Sequence, residues 1–498
     1  MLCPAASPSV TRSRVSSGER PEDTSVITRA TAPREVFQRI GILTDHLRVS
    51  YANGSSFASQ FLRREFAKRE HDVTIIGPRD PEAVPGDLPT RHLAFDSRPL
   101  RNHPGVHLPF PSTSALRRLG RERLDVLLGQ TCTGMLEVGS WLRQVQRVPY
   151  LCVNTVHLPS VYNVLLPAIL FRSRRVQRLF EETIIPRVER QTIEAYNQSD
   201  GLIVLSEGMA DYWRQRGLRV PVFVIPRSVE PQVFDRRPGS DPFDARAPRG
   251  GRLLCVCRHT REKSVERLIQ IFARHVAPRD ARATLTLVGD GPDHDAFLAL
   301  SERLGVGERV FFPGEEPLSR VPDYYRNADL FVYASLSETY GQVISEASWC
   351  GLGAVALDDG MGVCSQIVDG QTGLLIDTRR PGADVDADFG RAVLALLHDP
   401  NARLQMGARA ARYTRARVAP ERIVERYYDA FAEARRHLAE SARRLQPAEK
   451  RRRLRGWATL HTLLFLMSCV RRRAVLNRNR SAQPNWGELG AGSELRAF

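Results

Sequence analysis

Two glutamates, Glu338 and Glu346, stand with seven residues between them in the stretch from Ser335 to Gly351, and Gly341 lies between the two. A helix expected to start near Gly341 leaves Glu338 in the preceding loop and carries Glu346 more than a turn inside. The two carboxylates then reach different parts of one extended ligand. The free N–H groups of the first turn, at Gly341, Gln342 and Val343, offer an anion site that suits a phosphate. A second constellation is Arg258 and Lys263, five residues apart in the loop CRHTREKS. Two cations at the mouth of a parallel sheet can neutralise a diphosphate leaving group as the bond to it breaks. Only three of the 72 basic residues are lysines, Lys68, Lys263 and Lys450, so Lys263 stands out against an arginine background. Alone, the glutamates would read as a solvated helix face and the cations as a charged loop. Both occur together, each placed by the same kind of element.

Those elements can be read from periodicity. RIGILT, from Arg39, is a short apolar run; Asn53-Gly54-Ser55-Ser56 is a loop; Ala58, Phe61, Leu62 and Phe66 share a helical face; Asp72 to Gly77 is a second strand. Strand, loop, helix and strand make a βαβ unit and therefore a parallel sheet. Further strands are expected at Leu124–Leu128, Pro149–Val153, Gly201–Leu205 and Val222–Ile225. After the polar stretch from Pro231 to Gly251 the same grammar restarts. Strand Leu253–Cys257 leads into a helix carrying Val265, Leu268, Ile269, Phe272 and Val276. Strands at Thr284–Val288, Val310–Phe312, Leu330–Tyr333 and Ala354–Ala356 follow, then helices from Gly390 to about Ala442. The reading is an α/β protein of two tandem Rossmann-like domains. The expected divisions are a disordered leader over 1–36, a first domain over 37–230, a second over 249–400, helices over 401–442 that cross back to the first, and a basic tail over 443–498. In such sheets ligands sit at the carboxyl ends of the strands, so the cleft between the domains is the expected site. Gly54 lies in the loop after the first strand, where backbone can approach phosphate. That loop has no G-x-G-x-x-G, which argues against a dinucleotide-binding dehydrogenase. His157, in Asn154-Thr-Val-His157-Leu-Pro159, follows a strand and so faces the cleft. A lone histidine is more often structural.

The segment Ser335 to Gly351 resembles the glutamate-pair motif of family-four glycosyltransferases, which have the GT-B fold, and the resemblance runs from about Arg39 to Glu433. It implies that Glu338 contacts the donor sugar, that Glu346 contacts the ribose, and that Arg258 and Lys263 hold the donor diphosphate. His157 then matches the family's cleft histidine, which tips that residue toward function. Gly289-Asp290-Gly291-Pro292, Val310 to Gly314 and Asp369 to Leu375 resemble family landmarks, and the loop before Gly314 is where the family cradles the base. There are departures: Gly353 stands where proline is usual, Cys257 where glycine precedes the arginine, and Gln366 where glutamate is frequent. The resemblance implies a retaining hexosyltransferase that needs no metal and no cofactor, the nucleotide sugar (UDP- or GDP-linked) being a co-substrate and a lipid or glycan the acceptor. Its rival is a catalytically silent protein of the same fold acting as a membrane-associated binding module.

Composition sets the remaining bounds. The chain of 498 residues is 42% hydrophobic and 26% charged, as for globular proteins. Its net charge of +16 is concentrated: Ser441 to Arg480 holds twelve Lys or Arg against Glu449 alone. Such a tail suits an anionic surface, and with few aromatics among its arginines it does not read as a nucleic-acid face. The tail's apolar insert, Trp457 to Val470, is too short for the ~20 residues of a membrane-spanning helix. An interfacial helix within 451–473, and a basic amphipathic stretch over 162–180, would both suit anionic lipid headgroups; a packed or disordered tail and a core helix with a solvated arginine face are the alternatives. Eight cysteines in no C-x-x-C pair read as free thiols in a reducing compartment, and the leader lacks a signal peptide's apolar core, so the expected location is the cytoplasm, peripheral to the inner face of a membrane.

Overall fold

The computed structural model describes residues 37–45, 54–80, 91–99, 107–131, 134–157, 174–336 and 338–441, and single positions between 452 and 466. The leader, the stretch 158–173 that contains most of the basic amphipathic segment, and most of the tail insert lie outside the described residues.

The apolar runs of the first half form the parallel sheet β3-β2-β1-β6-β7-β8-β9. Its strands are β1 (Arg39–Thr44), β2 (Asp72–Pro78), β3 (His92–Phe95), β6 (Val126–Gln130), β7 (Tyr150–Val153), β8 (Gly201–Val204) and β9 (Val222–Val224). The central strands β6, β7 and β8 are buried along their whole length, as expected for a sheet covered on both faces. A small antiparallel pair, β4 (Ser97–Pro99) and β5 (His107–Pro109), sits apart. The second half forms the parallel sheet β12-β11-β10-β13-β14-β15. Its strands are β10 (Arg252–Val256), β11 (Thr284–Val288), β12 (Val310–Gly314), β13 (Leu330–Tyr333), β14 (Ala354–Leu357) and β15 (Gly373–Ile376). In each sheet the order reverses beside its first strand: β1 pairs with both β2 and β6, and β10 with both β11 and β13. These are the switch points at which open α/β sheets bind ligands.

Several expectations need correction. The edge strands β3 and β15 are absent from the expected set; each is four residues long and mostly half-buried. Gly54 opens the helix Gly54–Ala67 instead of lying in the loop before it. The helix from Val265 is α-helical to Ile271 and then widens into a π turn over Phe272–Val276. The last helical stretch begins at Val385 and is cut into Val385–His398, Pro400–Val418 and Pro420–Glu440, with proline at the start of the second and third, where no helical N–H is lost.

The helix Pro420–Glu440 packs on the first domain. Phe431, fully buried, has its ring 5.6 Å from Phe37 and 5.8 Å from Phe66. Tyr428 and His71 share a hydrogen bond of 2.6 Å, and His437 Nδ1 lies 3.0 Å from Asp200, a buried carboxylate that also takes both arms of Arg143. The two domains also meet directly. Ser206 donates to the Thr339 carbonyl at 3.2 Å, and a Cβ on Gly208 would come within 2.4 Å of the Gly360 carbonyl oxygen.

Candidate functional site

β10 and β13 are hydrogen-bonded neighbours, so the loops leaving their carboxyl ends lie side by side. The first carries Arg258 and Lys263, the second Glu338. Lys263 Nζ donates to Glu338 Oε1 at 2.5 Å, and the hydroxyls of Tyr333 and Ser335 donate to the same oxygen at 2.8 and 2.9 Å. Tyr333 ends β13 and Ser335 is fully buried, so strand and loop together fix the carboxylate. Burial alone would push the Glu338 carboxyl up; the Lys263 ammonium and the two hydroxyls outweigh it and hold the group below its usual range. Glu338 is therefore a charged, oriented acceptor.

The turn after Glu338 ends at Gly341, whose φ of 81° is the left-handed region that glycine adopts without strain. The helix Gln342–Trp349 begins there with no side chain capping its first turn, which leaves the anion site expected at Gly341, Gln342 and Val343. Gln342 Nε2 donates to the Ser228 carbonyl at 3.0 Å, tying the helix start to the connection between domains, while Val343 packs on the second core. Glu346 lies one turn on from Gln342, facing the same cleft, and accepts from Tyr325 at 3.0 Å. Its environment is the opposite of that of Glu338: burial, with Glu230 adding to it against the Tyr325 hydrogen bond, pushes the carboxyl up to about 7. The surroundings thus shift the two carboxyls in opposite directions.

Two residues that sequence reasoning passed over or left unweighed hold this loop. Asp359 accepts from the N–H groups of Met361, Gly362, Val363 and Cys364, and Gly362 N in turn donates to the Glu338 carbonyl at 3.0 Å. A Cβ on Gly362 would sit 2.5 Å from that carbonyl oxygen. Buried Gln366 donates from Nε2 to the carbonyls of Tyr340, Gly341 and Gly362 and accepts from Ser345 at 2.6 Å. Its amide suits the site, since a glutamate there could not donate to three carbonyls. The Asp358-Asp359-Gly360 turn was a legible signal; the role of Gln366 was not.

Arg258 is exposed at the mouth of the sheet, its charge reaching Glu315. Gly314 ends β12 with a φ of 89° and its carbonyl accepts from Gly289 N at 2.8 Å, so the loops after β11 and β12 are joined through backbone. A Cβ at Gly289 would meet the Cys257 carbonyl oxygen at 1.9 Å. Gly54 stands at the start of its helix across the cleft. His157 lies in the loop that leaves β7. It is buried in the first domain against Tyr212, ring centroids 4.6 Å apart, and burial together with Arg216 pushes its imidazole down to about 4. It is therefore neutral at physiological pH. Between the domains lies an open cleft of about 750 Å³, lined by Phe57 and Phe61 on one side, Gln342 and Glu346 on the other, and Arg227 and Ser228 between them. The described cysteines Cys152, Cys255, Cys257, Cys350 and Cys364 are free thiols.

Comparison with known proteins bears on this geometry. The model of a family described as glycosyl transferases group 1 matches residues 244–413, and one described as glycosyltransferase family 4 matches residues 53–233. A D-inositol 3-phosphate glycosyltransferase of Kribbella flavida is 38% identical over 126 residues, covering 25% of this chain and 28% of that protein. An N-acetyl-alpha-D-glucosaminyl L-malate synthase of Bacillus anthracis is 31% identical over 175 residues, 35% of this chain and 43% of that protein. An alpha-monoglucosyldiacylglycerol synthase of Streptococcus pneumoniae is 23% identical over 326 residues, 64% and 70% of the two chains. The matched stretch thus spans well under two thirds of the first two relatives. Among solved structures, an Anabaena protein in complex with UDP and glucose has a TM-score of 0.57 at 17% identity, covering 79% of this chain and 99% of that one. At that identity the likeness is one of fold.

Gln366→Glu is expected to set a carboxylate against three carbonyl oxygens and to lower stability by about 1–3 kcal/mol, read by denaturant unfolding at pH 7; an unchanged midpoint would show that the amide is not what holds the loop. Glu346 gives a pH signature. A carboxyl raised from 4.5 to about 7 holds its proton more tightly in the folded chain, so its contribution is full below pH 4.5 and drains away as pH rises to about 7. Glu346→Gln should therefore gain stability relative to the unaltered protein across that window, and a constant difference would contradict the assignment.

Proposed function

The chain belongs to the family-four glycosyltransferases, in their two-domain GT-B arrangement, and from that membership we propose that it transfers a hexose from a UDP- or GDP-sugar to an acceptor with retention at the anomeric carbon. The observation that carries the reading is the Lys263 to Glu338 contact at the β10 and β13 switch point, beside a helix start free to hold phosphate. In this reading the diphosphate lies across the Gly341 helix start, with Arg258 and Lys263 as its cations and Gly54 closing from the other domain. Lys263 moves from Glu338 to the phosphate as donor binds, and Glu338 turns its freed charge to hydroxyls of the sugar. Glu346 takes the ribose, and the loop before Gly314 takes the base.

The bond between the anomeric carbon and the β-phosphate oxygen breaks while the acceptor oxygen bonds to the same face of that carbon. The acceptor proton passes to the leaving phosphate oxygen, so no protein base is required. Neutral His157 serves as a hydrogen-bonding partner for the sugar on the first domain's side, in keeping with its depressed basicity.

The acceptor in this reading is a lipid at an anionic membrane surface, in preference to a free glycan. Support comes from the Streptococcus pneumoniae relative's name and from exposed apolar residues in basic stretches of the chain: Leu179 beside Arg175 and Arg178, and Leu463 and Leu466 in the stretch that also exposes Arg452 and Arg455. Among the described residues no helix is long and apolar enough to cross a membrane; the contact proposed is peripheral, through such exposed apolar and basic side chains, at the cytoplasmic face.

Mass spectrometry of transfer with UDP-, GDP- and ADP-sugars, with and without vesicles containing anionic lipid, tests this. One donor is expected to be consumed, faster with vesicles, and Glu338→Ala and Lys263→Ala each to lose about 100-fold or more. Turnover of no donor by the folded protein would remove the transferase reading, and vesicle-independent transfer would remove the lipid acceptor.

A further inference from the structure

Arg227 lies on the connection between β9 and β10, directly after Pro226, in the wall of the cleft. Its Nε is buried and makes no hydrogen bond in the structure. Among the described residues no carboxylate comes within ion-pair distance of it: the neighbouring Glu230 is held by Arg64, and Glu338, the acid whose field reaches it, is engaged by Lys263. Arg227 is half-buried, with its Nε shut off from solvent; a guanidinium held this way without a counter-charge is costly to keep, and an anionic ligand removes that cost. A second buried polar atom without a partner, Oε1 of Gln342, lines the same cleft at the start of the Gln342–Trp349 helix. Tyr340, whose charge would reach Arg227, immediately precedes that helix start. The uncompensated cation, the uncapped first turn and an acceptor atom able to take a hydroxyl thus share one volume. Arg258, by contrast, stands out at the exposed mouth.

We propose that Arg227 is a further donor-binding residue, its guanidinium taking a β-phosphate oxygen of the nucleoside diphosphate while Gln342 takes a ligand hydroxyl. This rests on the transferase reading above. It adds to the two cations of the Arg258 loop a third that sits on neither sheet but on the strap joining them. A donor bound this way holds the connection against the second domain, where Gln342 already grips the Ser228 carbonyl at 3.0 Å. An arginine is suited to this task because its planar fork meets a phosphate with two N–H groups at once.

The test compares calorimetric affinities of the full chain, Arg227→Met and Arg227→Lys for UDP, GDP and ADP and for the matching monophosphates, with thermal melting to establish folding. For the nucleotide that the unaltered protein prefers, Arg227→Met is expected to weaken the diphosphate by about tenfold or more while the monophosphate changes little, and Arg227→Lys to recover part of the difference. A merely structural role would lower melting temperature without altering the ratio of diphosphate to monophosphate affinity. An unchanged ratio in folded Arg227→Met therefore overturns the assignment and leaves the transferase reading standing. Binding of none of the three diphosphates by the unaltered protein overturns both.

Discussion

The pairing of β10 with β13 is the constraint on which the site depends. Parallel strands run in one direction, so the loops leaving neighbouring carboxyl ends emerge together, and here that brings Lys263 to 2.5 Å from Glu338 although 75 positions separate them in the chain. The contact does two things at once. It stabilises a carboxylate that burial would otherwise protonate, and it parks an ammonium where a diphosphate would need it. An ion pair with so little exposure is poor evidence for stability, since desolvation offsets most of the attraction. In the proposed function it is a switchable pair, whose cation would pass from Glu338 to the donor phosphate.

Beyond the two hydroxyls on the carboxylate, the surroundings of the pair fix backbone. The loop that follows Glu338 is pinned from behind by Asp359 and Gln366, whose hydrogen bonds run to main-chain groups. The loops after β10, β11 and β12 are packed against one another so closely that Gly289 admits no side chain. The two carboxylates of the motif then diverge. Glu338 is ionised by its neighbours and Glu346, eight positions later, is lifted to about 7 by burial, which suits one for charge and the other for sharing a proton with a neutral hydroxyl.

How much of this was legible in the sequence follows from what each residue depends on. β11 and β13 were read to the residue because their apolar runs are continuous and bounded by turns. Glu338, Lys263 and Gly341 were legible because their spacing forms a motif and because glycine and a rare lysine are conspicuous. Arg227 was not, being one arginine in a chain that uses arginine nearly everywhere. Gln366 escapes notice for a related reason: its function lies in bonds to backbone carbonyls whose positions only the folded loop defines, whereas the turn at Asp359 is marked by its own sequence. The placement of His157 against Tyr212 likewise needs the helix after β8, which no local pattern connects to it.

The measurement that reaches the centre of this account is a structure of the protein with its nucleoside diphosphate bound. The account predicts that Lys263 Nζ leaves Glu338 for a phosphate oxygen, with the phosphates seated over the Gly341 helix start. A nucleotide bound elsewhere while the Lys263 to Glu338 contact stays intact would contradict it.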